Sequence, residues 1–227
     1  MKLRTKYTQR YPTAPGLVLD IPFFEGSGSK ALDVSGNDNH GSIIGAGWKG
    51  DGKGVCLDFD GVSNYVDFGN SAIFNLLDGL SVIMSIAISA VPSAEQYMYH
   101  GEGKYGIHFR VDGRLYFFFY PGAPHANQKT GSINALSVDQ SFNVAGTWKT
   151  GDKVRLYIDG ADENDTDTIF TAINNSIVLY SAGRRGHLDM QYFDGIIDNI
   201  RVYKSALSSD TIRRRSEQPD KDYCRGS

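Results

Sequence analysis

Across residues 80–88 the chain alternates without a break. Leu80, Val82, Met84, Ile86 and Ile88 fall on one side, and Ser81, Ile83, Ser85 and Ala87 on the other. A period of two is the mark of an extended strand half-buried against a core. Similar segments recur at short intervals. Residues 105–111 and 114–120 flank Asp112-Gly113, the kind of two-residue turn that a β-hairpin prefers. Residues 56–59 and 65–68 flank Asp60-Gly61, and residues 154–158 run into Asp159-Gly160. Further strands read from residues 17–24, 142–148, 177–182 and 196–203. Short strands with a turn signal between them predict an all-β, two-sheet antiparallel sandwich of the jelly-roll kind rather than βαβ units.

The 227 residues suit one large all-β domain. Residues 1–16 read as a polar, basic N-terminal arm, residues 17–207 as the sandwich, and residues 208–227 as a polar C-terminal tail. Within that tail, residues 208–216 carry one short helical turn, with Ser208 or Ser209 as its N-cap. Residues 26–54 are dense in glycine, serine and asparagine, which predicts turns around the apolar pair Ile43-Ile44. The formal net charge is -3 with no long basic run, which argues against a nucleic-acid partner. No apolar run approaches the roughly 20 residues that span a bilayer, so no membrane partner is expected. The basic start of the chain lacks the apolar stretch of a signal peptide. Three histories fit: a trimmed signal, release at lysis as a virion component, or retention inside the cell. The expected location is extracellular, cell-surface or virion. Cys56 sits in an apolar strand and Cys224 in the polar tail; a core role for Cys56 and a bridge between the two both fit the spacing.

Six ordered pieces carry a resemblance. They are Phe24-Glu25-Gly26-Ser27-Gly28; Asp33, Ser35-Gly36-Asn37 and Asn39-His40-Gly41; Leu57-Asp58-Phe59-Asp60-Gly61 with Tyr65-Val66; Val144-Ala145-Gly146-Thr147-Trp148; Arg155-Leu156-Tyr157-Ile158-Asp159-Gly160; and Phe193 with Gly195 and Ile197-Asp198-Asn199-Ile200-Arg201-Val202-Tyr203, followed by Ala206-Leu207-Ser208. Together they make the chain resemble the laminin-G-like, concanavalin A-like jelly-roll domains. The resemblance implies two antiparallel sheets whose first and last strands lie side by side, and a non-catalytic module for carbohydrate binding, adhesion or display. Two positions depart from the family pattern. Ser141-Phe142-Asn143 stands where the family usually has Trp-His-His, and Ser85 where an outward Trp is common.

Glu25, Asp33, Asn37, Asn39 and Asp198 supply the oxygens that a calcium ion takes. By the resemblance, Asp198 looks like the last-strand ligand of a structural ion reached from the N-terminal loop, with Glu25, Asp33 and Asn39 as its partners. The competing reading is Asx-turn chemistry, in which Asp33, Asn37 and Asn39 hold their own loop through its backbone. Residues 115–120 carry aromatics on both faces, Tyr116, Phe118 and Tyr120 on one and Leu115, Phe117 and Phe119 on the other. One face is then a binding surface, a subunit interface, or is covered by the loop at residues 121–137. Sugar rings stack on such side chains, so Tyr116 and Tyr120 suit a glycan, with Tyr97 and Tyr99 as a smaller cluster beside His100. Arg184 and Arg185 add hydrogen-bond donors.

His108 alternates with apolar neighbours and reads as solvent-facing; no histidine spacing fits zinc. The five glutamates show no pair on alternate positions of one strand, as jelly-roll glucanases have, so no enzyme is expected. The expected function is a non-catalytic carbohydrate- or glycoconjugate-binding or adhesion module, calcium-stabilised on the ion reading above, with a glycan or polysaccharide as partner. One alternative is a phage or viral virion protein that displays a lectin-like sandwich, contacting a virion neighbour or its own copies as a homo-oligomer. The other is a polysaccharide lyase or hydrolase, for which His108 and Tyr116 facing each other across the hairpin would be the pair to consider.

Overall fold

The computed structural model describes residues 15–50, 54–76, 78–120, 128–167, 169, 179–186 and 190–217. Residues 1–14 of the expected arm, Cys224, and residues 121–127 and 218–227 lie outside the described residues. Among the described residues sixteen strands follow in order. The first six are β1 (Leu17–Ile21), β2 (Lys30–Ala31), β3 (Gly41–Ile44), β4 (Gly47–Gly50), β5 (Val55–Asp60) and β6 (Tyr65–Gly69). Then come β7 (Gly79–Ile88), β8 (Gln96–Gly101), β9 (Tyr105–Phe109), β10 (Leu115–Phe119) and β11 (Gln128–Gly131). The last are β12 (Ser141–Lys149), β13 (Arg155–Ile158), β14 (Ala161–Asp162), β15 (Tyr180–Ala182) and β16 (Asp194–Tyr203), followed by helix α1 (Ser209–Glu217).

The strands form two antiparallel sheets. The first runs β14-β13-β12-β7-β16-β5-β4, and β1 also pairs with β16. The second runs β11-β10-β9-β8-β15-β6-β3-β2. Strand β16 is the keystone of the first sheet. Its register with β7 runs from Gly195↔Ile88 to Tyr203↔Ser81, while its other edge is shared by β5 (Ile197↔Leu57) and β1 (Ile21↔Ile200). The head and tail of the sandwich therefore pair directly, as the resemblance implies.

Leu80, Val82, Met84, Ile86 and Ile88 all enter the main core, opposite Met98, Ile107, Phe117 and Phe119 from the second sheet. Gly146 allows that approach: a Cβ there would meet the ring of Phe117. The other side of β7 is buried too, where a half-buried strand is expected. Helix α1 is the reason at one end. Its Ile212 packs with Ile83, Ala145, Tyr157 and Tyr203 on the outer face of the first sheet. The helical turn expected at residues 208–216 is thus a nine-residue helix, Ser209–Glu217, with Ser208 accepting the Thr211 N–H at its start.

The two departures from the family pattern are neighbours in space. Asn143 pairs with Ser85 and Ser85 with Asn199 across β12, β7 and β16. Ser85 Oγ donates to Asn143 Oδ1 at 3.0 Å, and Asn199 Nδ2 donates to Ser85 Oγ at 2.8 Å. A hydrogen-bonded polar row occupies the place of an aromatic face.

Candidate functional site

The second sheet turns Tyr97, His100, His108, Tyr116 and Phe118 away from the core. The hairpin register explains half of this. Tyr116 lies opposite His108 and Phe118 opposite Gly106, while Leu115, Phe117 and Phe119 meet Phe109, Ile107 and Tyr105 on the core side. A β-bulge explains the rest. Tyr97 pairs with His108 and Tyr99 with Ile107, with a register shift between them. One extra residue reverses the alternation. Tyr97 therefore faces outward and Tyr99 inward, although simple alternation puts both on one face.

The outward rings pack edge and face. Tyr97 meets His100, His108 and Phe118 at centroid distances of 4.9, 5.1 and 5.6 Å. His108 stacks on Phe118 at 5.3 Å and meets Tyr116 at 5.5 Å. Such pairs each add about 0.5–1.5 kcal/mol beyond burial alone. His108 is buried within this cluster, against the expectation that it faces solvent.

Beside the cluster lies a cavity of about 320 Å3, at the small end of the roughly 300–1,000 Å3 usual for small-ligand sites. It is lined by Tyr97, His100, Glu102, Gly103, Phe118, Tyr120 and Arg185. Tyr97, His100 and Phe118 are buried and form its floor; Glu102, Gly103, Tyr120 and Arg185 are half-buried and form its rim. Backbone hydrogen bonds hold that rim. Glu102 N donates to Leu179 O at 3.1 Å, Lys104 N to Gly101 O at 3.0 Å, Tyr120 N to Lys104 O at 2.7 Å, and Arg185 N to Met190 O at 3.2 Å. Tyr97 Oη donates to Glu95 Oε2 at 3.4 Å, and Glu95 Oε1 pairs with Arg110 Nε at 2.7 Å. Burial, and then the charge of Glu95, pushes the Tyr97 phenol up to about 12, so it stays a neutral donor at ordinary pH.

Of the six residues expected at a ligand, Tyr97, Tyr120 and Arg185 meet at this cavity. The other three do not line it. Tyr99 is fully buried in the core among Phe68, Tyr105 and Tyr180, a correction that follows from the bulge. Tyr116 is buried to one side; its Oη donates to Asp112 Oδ2 at 2.7 Å, and the Arg110 and Arg114 guanidinium carbons lie 5.1 and 5.4 Å from its ring centroid. Arg184 is buried over Tyr65, its guanidinium carbon 3.5 Å from that ring centroid. Phe118 was legible beside Tyr116 and Tyr120. Glu102 and Gly103 had no signal beyond a turn, because the cavity is made by the fold and not by a motif.

Each of the four residues expected at calcium makes a hydrogen bond within the protein, while Glu25 Oε2 is buried without one. Asp33 Oδ1 accepts the N–H groups of Asp20 and Ser35, and its Oδ2 accepts Ser35 Oγ–H and Asn39 N–H, at 2.8–2.9 Å. Glu25 Oε1 accepts Leu32 N–H at 2.6 Å, Asn39 Nδ2 donates to Val18 O at 3.0 Å, and Asp198 Oδ2 accepts from Asn199 Nδ2 at 3.4 Å. Among the described residues no three His, Cys, Asp or Glu side chains cluster as a metal site. Asp33 thus accepts four hydrogen bonds from protein groups, the Asx-turn arrangement that competes with the ion reading.

Residues 60–213 match the family model described as the concanavalin A-like lectin/glucanases superfamily. No curated protein matches the chain. Among solved structures, Trypanosoma rangeli sialidase in complex with sialic acid is 18% identical, with a TM-score of 0.63 over 88% of this chain and 32% of that one. Domain 4 of an extracellular arabinanase from Geobacillus stearothermophilus, in complex with arabinotriose, is 17% identical, with a TM-score of 0.65 over 88% of this chain and 97% of that one. The receptor binding domain of botulinum neurotoxin mosaic serotype C/D is 14% identical, with a TM-score of 0.67 over 89% of this chain and 50% of that one. The chain thus spans about a third of the sialidase chains it matches. At these identities the likeness is one of fold.

Proposed function

Because the chain belongs to the concanavalin A-like lectin/glucanase superfamily, we propose that it is a non-catalytic carbohydrate-binding module whose ligand sits in the cavity over β8, β9 and β10. The carrying observation is the cavity itself: an aromatic floor of Tyr97 and Phe118, with Tyr120, Glu102 and Arg185 around the rim. Sugars present one apolar C–H face and an edge of hydroxyls. The rings meet the first; the carboxylate accepts from hydroxyls and the guanidinium donates to them. Sugar-bound neighbours of the same fold, the arabinanase domain with arabinotriose and the sialidase with sialic acid, support the class of ligand.

Net hydrogen-bond contributions of about 0.5–1.5 kcal/mol each, added to one stacking face, suit a weak site with a Kd on the order of 0.1–1 mM. Tyr120 is the residue to test. It is half-buried at the rim, so removing its ring leaves the core intact. A glycan array followed by calorimetric titration of the best binder should show Tyr120→Ala weakening binding tenfold or more, with no change in melting temperature. Tyr116→Phe should bind as well as the parent, since Tyr116 lies outside the cavity. Turnover of a bound polysaccharide by the parent would replace this reading with an enzymatic one, and failure to bind any sugar would end it.

A further inference from the structure

We infer that the ligand of this cavity carries a carboxylate, so that the module reads an acidic sugar through Arg185; the inference rests on the glycan-binding reading above. Several of the described arginines pair with a carboxylate. Arg110 pairs with Glu95 at 2.7 Å, Arg114 with Asp165 at 2.5 Å, Arg155 with Asp162 at 3.0 Å and Arg201 with Asp20 at 3.1 Å. Arg185 differs. Among the described residues no carboxylate lies within 4 Å of it, and its one side-chain hydrogen bond runs from Nη1 to the neutral Gln191 Oε1 at 3.0 Å. One donor of five is used in this way. The rest of a full positive charge stands on the cavity rim.

The backbone that carries that charge is fixed. Arg185 N donates to Met190 O, and the next residue, Gly186, has φ +47°. A Cβ on Gly186 would come within 3.0 Å of His100 Nδ1 and 3.3 Å of Glu102 Cβ. The loop therefore lies against the cavity floor more tightly than a side chain would allow. The guanidinium carbon lies over the Tyr97 ring, 5.8 Å from its centroid, so an acid group entering the cavity beside Tyr97 meets it. A planar fork of donors matches a carboxylate better than a hydroxyl. Glu102, also on the rim, repels a second negative group and accepts hydroxyls. The two charges set one orientation, with the acid toward Arg185 and the hydroxyls toward Glu102.

The test uses matched probes that differ only in charge: oligogalacturonate against its fully methyl-esterified form, and sialyllactose against lactose. Calorimetric titration at low and moderate salt should show at least one acidic member bound tenfold or more tighter than its neutral counterpart. That preference should shrink as sodium chloride is raised. Arg185→Gln should remove the preference, so that the acidic member binds no tighter than its neutral counterpart, with the melting temperature unchanged; Arg185→Lys should keep part of it. Equal binding of acid and neutral members by the parent overturns the inference and leaves the glycan-binding reading standing. A preference that survives in Arg185→Gln overturns the role of Arg185. Absence of binding to both pairs and to every sugar on a broad array removes the underlying reading, and the inference with it.

Discussion

Asp20 and Arg201 stand 181 residues apart in the chain and meet as a buried ion pair, Arg201 Nε donating to Asp20 Oδ1 at 3.1 Å. They are direct partners in the register of β1 with β16, so the pair closes the head of the sandwich onto its tail. Removing one member leaves the other charge buried without its partner, which costs about 3–5 kcal/mol in comparable cases. Arg201→Met should therefore lower unfolding free energy by that order in urea titrations. The double variant Asp20→Leu with Arg201→Met should recover much of the loss. A double variant as unstable as the sum of the singles would show that the two side chains act independently.

Gly106 lies under Phe118 in the β9–β10 pairing. A Cβ there would stand 2.7 Å from Phe118 Cε1 and would also overlap the carbonyl oxygen of Tyr99, which is backbone and cannot swing away. Gly106→Ala should cost about 1–3 kcal/mol by overpacking. It should also weaken sugar binding, because the ring that must yield is part of the cavity floor. Chemical denaturation and a binding titration of the same variant check both halves. Unchanged values in both would mean that Phe118 moves freely and that the floor is not preorganised.

Asp33 is the staple of the N-terminal loop. Its carboxylate gathers the backbone of β1 through Asp20 N–H and the loop through Ser35 and Asn39. Two of these donors are buried, and an orphaned buried donor costs about 1–3 kcal/mol. Asp33→Ala should destabilise the protein by roughly 2–5 kcal/mol, and Asp33→Asn, which keeps one acceptor, by less. Since protein groups occupy both oxygens, a chelator should leave the melting temperature of the parent unchanged. A drop on chelation, reversed by calcium, would show an ion in the loop after all.

The sandwich was legible because period-two alternation is a property of each strand alone. Residues 80–88 show it, and their apolar set does enter the core. The covering of the outer faces was less legible, because burial there depends on elements distant in sequence: Ile212 lies far along the chain from Ile83, yet it packs over it. The site was half legible for the same reason. Tyr120 and Arg185, picked out by an aromatic strand and a basic loop, line the candidate cavity. Tyr99 does not, because one bulge between Tyr97 and Tyr99 exchanges inside for outside and leaves no mark in composition.

The buried polar groups give stability a distinct dependence on pH. Lys104 is buried with its Nζ donating to Asn75 Oδ1 at 2.6 Å, and burial lowers its ammonium from the ordinary 10.5 to about 8. The unfolded chain then holds that proton up to about pH 10.5 while the folded chain releases it near 8. In that window the unfolded state binds more protons, so stability rises with pH. Tyrosines act in the opposite sense. Burial, then the charge of Glu95, raises Tyr97 to about 12, and burial raises Tyr99, Tyr105 and Tyr180 further above their ordinary 10.0. Above pH 10 their unfolded phenols ionise while the folded ones stay protonated, so the stability they contribute below pH 10 is lost as pH climbs. Urea titrations from pH 7 to 11 should thus show a rise from about 8 to 10 and a fall beyond it. Lys104→Met should abolish the rise and keep the fall. A rise that persists in Lys104→Met would assign it to another group, and a flat parent curve over the same range would mean that Lys104 stays charged in the folded protein.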